Sequence, residues 1–599
     1  MIYHCEDHTC NYWDEGEKLP ERCPQCGRKL LRANEADMTG DDWTALGNTL
    51  WDAEASDKKR MVDCFRKAAY LGSAWGVCNL GICMEQGNGV EADPVQAFWL
   101  YQQAVEMGSL NAVCCLGVCY QYGIGTAPDA KQAAELYCKA AKYGSPRGQM
   151  LLARAFHDGI GVEADAAEAV HWVRAAAYQR YGEGMYRLGV CYAYGDGVEQ
   201  NWERAVHWFR EAAESGVSAA MTDLGYCYEK GCGVEQSWEQ AFSWYRRGAE
   251  CGNPVSMSNL GLCYQRGYGV EQNWQEAIKW YEQGAQCGDL QSMHNLACCY
   301  ERGEGVEQNE DRAFYWYRRS AEGGHGSAMC NLGRCYKRGY GVEQNWQEAV
   351  KWYERGAQCG NLQSMHNLAC CYERGEGVKQ NMTEAIRWYT AAAEGGNADA
   401  MQSLGWHYDH GEGVEQDMKK AICWYERAAE QNYPAAMNSL GECYAMGRGV
   451  PRDLETAMEW YRRAAELGEA MADYNMGWHL EQAGKLSEAY AHYRKAADGN
   501  DDSAWWALGR FYENGVVVAQ DGKEARRCYE TGEKLGSVKC KMRLARCKLL
   551  GIGGRRAKKA GLDLCRQALE LAKESSEKED YGYEAEMNLL RRTIAENES

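Results

Sequence analysis

The sequence predicts an all-α protein: a solenoid of about 14 helical hairpins stacked side by side, preceded by a small cysteine-bearing segment. Three observations carry that reading. The stretch at residues 269–306, GVEQNWQEAIKWYEQGAQCGDLQSMHNLACCYERGEGV, recurs at 341–378 with three changes, so a block of two 36-residue units has been copied. An anchor leucine followed by Gly or Ala stands at Leu80, Leu116, Leu152, Leu188, Leu224, Leu260, Leu296, Leu332, Leu368, Leu404 and Leu440 without one slipped residue, and Met476, Leu508 and Leu544 continue the series with one gap of 32. Within each unit, apolar residues return at helical spacing on both sides of a glycine loop. No unit of this size buries its own apolar face, so neighbours must stack.

At 599 residues the chain exceeds one globular core, yet the unbroken register argues for a single elongated repeat domain over residues 41–556. The net charge of -20 disfavours general binding to a phosphate backbone. No apolar run approaches the ~18 residues of a membrane helix, and the opening Met-Ile-Tyr-His-Cys-Glu-Asp has no basic region followed by an apolar stretch. A cytoplasmic protein is expected. Ten of the thirty cysteines sit three residues after an anchor: Cys83, Cys119, Cys191, Cys227, Cys263, Cys299, Cys335, Cys371, Cys443 and Cys547. Equivalent sites in successive repeats lie about 8 to 10 Å apart or more, beyond the roughly 7 Å Cα limit for a disulfide. These thiols are expected to be small, reduced core residues.

Residues 1–40 are out of phase with the rest. Cys5-x4-Cys10 and Cys23-Pro-Gln-Cys26-Gly27 are twelve residues apart, a pattern that can close a tetrahedral thiolate site on zinc, with ligands at about 2.3 Å. Metal binding would supply the folding free energy that so short a segment lacks. The Cys-Pro-x-Cys-Gly half resembles the knuckle of a zinc ribbon or rubredoxin-like motif. Iron in the same cage is the alternative metal, and His4 and His8 are alternative ligands for Cys5 or Cys10. Four filled positions leave none for a substrate, so a structural role is expected.

In the central unit, Val255, Met257, Leu260, Cys263 and Tyr264 follow helical spacing to a stop at Gly267. Asn273 stands as an N-cap three residues before Glu276, and Asn201, Ser237, Asn309, Asn345, Asn381, Asp417 and Asp453 repeat it. Ala277, Trp280, Tyr281 and Ala285 form the inner stripe of the second helix, which Gly288 ends. Trp172, Trp208, Trp244, Trp280, Trp316, Trp352, Trp388, Trp424 and Trp460 recur twenty after an anchor and are expected as the wedge between repeats. Trp202, Trp238, Trp274 and Trp346, just after the cap, are expected half-exposed over the loop.

Leu-Gly-x-Cys-Tyr-x-x-Gly-x-Gly-Val followed by Ala-x-x-Trp-Tyr-x-x-Ala-Ala-Glu-x-Gly resembles the Sel-1-like repeat family, relatives of the tetratricopeptide repeats; the match is strong from Leu80 to Gly468. The resemblance implies a right-handed α/α superhelix that serves as a non-enzymatic adaptor or scaffold. The copy at Met476, with its loop cut to Gly484, looks like an ordinary tetratricopeptide hairpin. Residues 557–599 read as a charged helical cap with a break across Lys573 to Asp580, and Arg555, Arg556, Lys558 and Lys559 as a solvated basic loop.

In tetratricopeptide-like stacks the first helices line the concave face, with inward positions five and two before the anchor and two, five and six after it. By that analogy Arg266, His294, Arg302, Arg334, Lys337, Arg338, His366, Arg374 and Trp406 form a partner-binding band for an acidic or C-terminal peptide carboxylate. Glu229, Glu301, Glu373 and Asp409 could instead neutralise those bases as surface pairs. His294 and His366 lie one helical turn before Cys298 and Cys370, which superficially resembles a base and a nucleophile; a duplicated polar pair is the plainer reading. A weak β-lactam-hydrolysing activity, described for some bacterial relatives, is an alternative implied by resemblance, but Ser-x-x-Lys in a suitable setting is missing. Nucleic-acid binding through Arg22, Arg28, Lys29 and Arg32 is a third, opposed by Glu15, Glu17 and Glu21.

Overall fold

Helix starts and stops are set by side chains at fixed places in the repeat. The computed structural model describes residues 2–5, 13–15, 30–33, 38–51, 55–578 and 583–598. In it the Leu260 hairpin has a first helix Pro254–Arg266 and a second helix Trp274–Gln286. The first begins at Asn253, whose side chain accepts from the Ser256 N–H at 2.9 Å, with Pro254 opening the first turn. It ends at Gly267, φ +74°, whose N–H returns to the Cys263 carbonyl. A side chain in that left-handed conformation costs about 1 kcal/mol or more, which is why glycine recurs there. The second helix starts where Asn273 accepts from the Glu276 N–H at 3.1 Å. All seven other expected caps make the equivalent bond.

The residue before the cap adds a fastening that was not foreseen. Gln272 Nε2 donates to the Gln265 carbonyl at 2.8 Å, and Gln236, Gln344 and Gln380 do the same in their hairpins. Each satisfies a carbonyl that the end of the first helix leaves without an internal partner.

The chain divides into two units, residues 1–308 and 309–599. In each, a first helix packs against its own second helix and against the second helix of the hairpin before it. First helices of successive hairpins also touch, as Leu110–Tyr122 does with Pro146–Asp158 in one unit and Gly326–Arg338 with Leu362–Arg374 in the other. Neighbouring second helices do not approach as closely. The first helices therefore lie on the inner side of each stack.

The enclosed wedge is tyrosine, which corrects the expectation for tryptophan. Tyr101, Tyr137, Tyr245, Tyr281, Tyr353, Tyr389, Tyr425, Tyr461 and Tyr529, one residue beyond the tryptophan position, are all but closed to solvent. Each step along a helix turns about 100°, and that step aims the phenol at the first helix. Against the Tyr281 ring lies Gly261, where a Cβ would come within 2.5 Å of a ring carbon. In several hairpins the hydroxyl donates to the side chain five after the anchor: Tyr101 to Glu85 at 2.6 Å, Tyr137 to Gln121 at 2.7 Å, Tyr245 to Glu229 at 2.8 Å and Tyr281 to Gln265 at 2.7 Å. Phe209, without a hydroxyl, shares its hairpin with Ala193 at that position. The tryptophans stay half-buried at the edge of the core. Trp244, Trp352, Trp424 and Trp460 are each covered by an arginine three residues on, at 4.3 to 4.4 Å from the ring centre. Those after the cap are half-buried as expected, and Trp238 stacks at 4.1 Å on Tyr268 of the next loop.

The ten repeated cysteines are buried. Burial pushes the Cys263 thiol up to about 12. The Met476 hairpin, Ala470–Gln482 and Leu486–Asp498, turns in three residues, yet Tyr493 still reaches Glu481 at 2.7 Å.

At the ends, the strands β1 (Ile2–Cys5), β2 (Trp13–Glu15) and β3 (Leu30–Ala33) form an antiparallel sheet in the order β2-β1-β3. The side chain of Cys5, and Cys10, Cys23 and Cys26 altogether, fall outside the described residues. The first solenoid helix starts at Gly40 under a Thr39–Asp42 capping box. After the first helix of the final hairpin, Val538–Leu550, come helices Lys558–Lys578 and Glu584–Glu598. The expected break at Lys573 gives way to continuous helix as far as Lys578, and up to Ala572 that helix keeps Cys565, Ala568, Leu569 and Ala572 against the core. Arg555, Arg556, Lys558 and Lys559 are exposed as expected, and Arg556 also donates to Asn597 Oδ1 at 2.7 Å. Arg543 holds Glu586 through two bonds of 2.7 Å.

Truncating Tyr281 to alanine should cost about 3 to 5 kcal/mol and Tyr281→Phe about 1 kcal/mol, the worth of the Gln265 bond. Urea unfolding monitored by circular dichroism checks both, and a Tyr281→Phe chain as stable as the native one would show that the hydroxyl carries nothing.

Candidate functional site

The polar face of the first helices is where a partner has side chains to meet, and the two units are considered separately. In residues 1–308, Arg266 and Arg302 stand exposed in the last turns of their helices. Cations there also complement the negative end of the helix dipole, and Arg302 reaches Glu304 at 3.8 Å. These arginines sit at the loop edge of the face. His294 is half-buried, with Nε2 3.8 Å from Cys298 Sγ.

In residues 309–599, Arg338 and Arg374 are exposed at the same edge, and Lys337 Nζ lies 5.1 Å over the Trp346 ring. Arg334 lies deeper, half-buried, close enough to lower the pKa of Cys330 and of Tyr353 against the rise that burial imposes. Trp406 is 36% exposed and stacks on His410 at 4.3 Å. Two carboxylates on this face are engaged by groups other than those bases. Glu373 Oε2 takes the Tyr389 hydroxyl at 2.5 Å, and Asp409, buried, pairs with Arg448 at 2.9 Å. In the first unit Glu229 serves Tyr245 and also Lys230 at 2.8 Å. The recurrence of Glu or Gln sixteen residues before the tyrosine was the available sequence signal.

Sequence reading also missed the rungs that tie neighbouring first helices together. Gln402 donates to Ser439 at 3.0 Å, and Asn475 to Asn438 at 3.0 Å and to Glu442 at 3.2 Å. Burial raises the Glu442 carboxyl, which Arg448 partly counters. These positions hold the stack as much as they face outward.

The structure does bring His366 and Cys370 together, with Nε2 3.8 Å from Sγ. The Tyr389 hydroxyl lies 3.2 Å from the same sulfur and Ser403 Oγ 3.5 Å from the imidazole. Burial pushes the Cys370 thiol up, but the imidazole and the hydroxyl outweigh it and leave the pKa lowered. His366 is correspondingly raised, despite burial, by the sulfur beside it. The arrangement can stabilise a thiolate.

The profile of the Sel1 repeat matches thirteen consecutive segments between residues 76 and 537. A crystal structure of a protective antigen of uropathogenic Escherichia coli strains, displaying an SLR fold, is 32% identical, with 75% of this chain and 97% of that one covered at a TM-score of 0.53. A Sel1 repeat protein from Oxalobacter formigenes is also 32% identical, covering 41% of this chain and 96% of its own, at a TM-score of 0.38. Among curated proteins none matches.

Iodoacetamide at pH 7 should label Cys370 about tenfold faster in the native chain than in a His366→Ala variant. The advantage should shrink as pH rises past the ordinary thiol range, where every exposed thiol is ionised. Cys371, pushed up by burial to about 12, should stay unlabelled while the chain is folded. Equal rates for native chain and variant would remove the thiolate assignment.

Proposed function

The chain belongs to the Sel1 repeat family, and from that premise we propose that it is a non-enzymatic cytoplasmic scaffold that docks protein or peptide partners on the inner face of its first helices. The observation that supports this is the exposure of Arg338, Arg374 and Trp406 on a face whose other polar groups are engaged with one another, in a chain of net charge -20. Cations kept available in so acidic a chain favour an acidic segment or a C-terminal carboxylate, which guanidinium groups grip through paired hydrogen bonds. The exposed Trp406 indole offers apolar area at low entropic cost. Among the described residues no helix is long and apolar enough to cross a membrane.

The N-terminal segment is read as a second docking module or cap that holds one structural zinc. Cys5, Cys10, Cys23 and Cys26 are a donor set of four soft thiolates, which suits zinc and leaves no open coordination position.

Replacing Arg334, Lys337 and Arg338 together by alanine should cut recovery of partners in a pull-down about tenfold or more, and the native interaction should weaken with added salt. Unchanged recovery rejects the basic band. Elemental analysis should find one zinc per chain, lost in Cys23→Ser; a metal-free native chain rejects the zinc site.

A further inference from the structure

Among the hairpins anchored from Leu80 to Leu508, one lacks the ring that the others enclose. Twenty-one residues after the anchor Leu152 stands Val173, where the preceding hairpins carry Tyr101 and Tyr137 and the following ones Phe209, Tyr245 and Tyr281. Tyr101 shows what the ring normally does: it lies on Gly81 of its own first helix and close to Cys115 of the next. Valine in that place leaves the room unfilled. A cavity of 550 Å³ opens there, walled by Ala153, Val170, Val173 and Val190, with Arg147 and His157 among its polar lining. That volume lies within the roughly 300 to 1,000 Å³ of small-ligand sites.

The polar lining matches the missing group. His157 is five after its anchor, the position from which Glu85, Gln121 and Glu229 accept a phenol hydroxyl. With no tyrosine to serve, its Nδ1 lies 2.6 Å from Asp158 and its Nε2 3.3 Å from Asp196, and the side chain remains 57% exposed. Arg154 is held by Asp158 at 3.3 Å and Arg187 by Glu183 at 3.1 Å. Arg147 differs: its guanidinium donates to Cys115 Sγ at 3.6 Å, and among the described residues no carboxylate is paired with it.

The geometry points to a binding site for a tyrosine side chain supplied by a partner peptide: the ring fills the space Val173 leaves, the hydroxyl meets the His157–Asp158 pair, and a carboxylate next to that tyrosine meets Arg147. The site completes the hairpin with a ring from outside. It is separate from the basic band around Arg334, so the two stand or fall independently.

The probe is N-acetyl-L-tyrosine, with its binding to the full chain followed by ligand-observed NMR. N-acetyl-L-alanine should not bind. Val173→Tyr, which gives this hairpin its own ring, should weaken the probe about tenfold or more while raising the thermal midpoint. Ala369 above Tyr389 shows that an alanine in the place of Ala153 accommodates such a ring. Val173→Phe serves as a second filling variant should the hydroxyl disturb folding. Arg147→Gln should weaken N-acetyl-L-tyrosine about tenfold and leave its amide unchanged. Equal binding of the alanine analogue, or unaltered binding by a folded Val173→Tyr or Val173→Phe chain, overturns the site. A failed pull-down with the basic band replaced would not, because the probe is bound directly.

Discussion

In the hairpins that carry it, the close approach of the two helices depends on one buried contact, a tyrosine ring laid on the glycine or alanine after the anchor. Burial of the ring contributes the apolar area, and the hydroxyl has to find an acceptor because an unpaired buried polar group costs more than its bond returns. In several hairpins the acceptor five residues past the anchor comes with the ring, as Glu85, Gln121 and Gln265 show, whereas Tyr353 and Tyr461 are enclosed with Lys337 and Ala445 at that position. Cysteine fits three residues after the anchor for a related reason: it is small and apolar enough to leave the helices in contact.

That contact limits what the inner face can offer. Several positions that look free in a linear reading are committed to the stack. Glu373 and Asp409 are held by Tyr389 and Arg448, and Asn438 and Glu442 by Asn475. Side chains left for a partner lie at the loop edge, as Arg338 and Arg374 do, or stand out as Trp406 does. The Val173 cavity follows from the same constraint in reverse, since omitting the ring at one hairpin removes both the filling and the user of the acceptor.

The hairpin limits were legible before any coordinates, because caps and left-handed glycines act within a few residues: Asn253, Gly267 and Asn273 name the ends of both helices around Leu260. Burial of the repeated cysteines was legible too, from spacing alone. The C-terminal break was misplaced at Lys573, where the run of charged residues continues the helix as far as Lys578.

Sequence by itself thus determined the repeat, its length, its helix ends and the reduced cysteine core, all of which depend on local chemistry and a fixed period. Only the packed helices decided which of the adjacent Trp280 and Tyr281 is enclosed, which carboxylates are already engaged, and that valine at 173 opens a space. Those outcomes turn on where a side chain points relative to the next helix, a direction that one helical step changes and that residue type does not record.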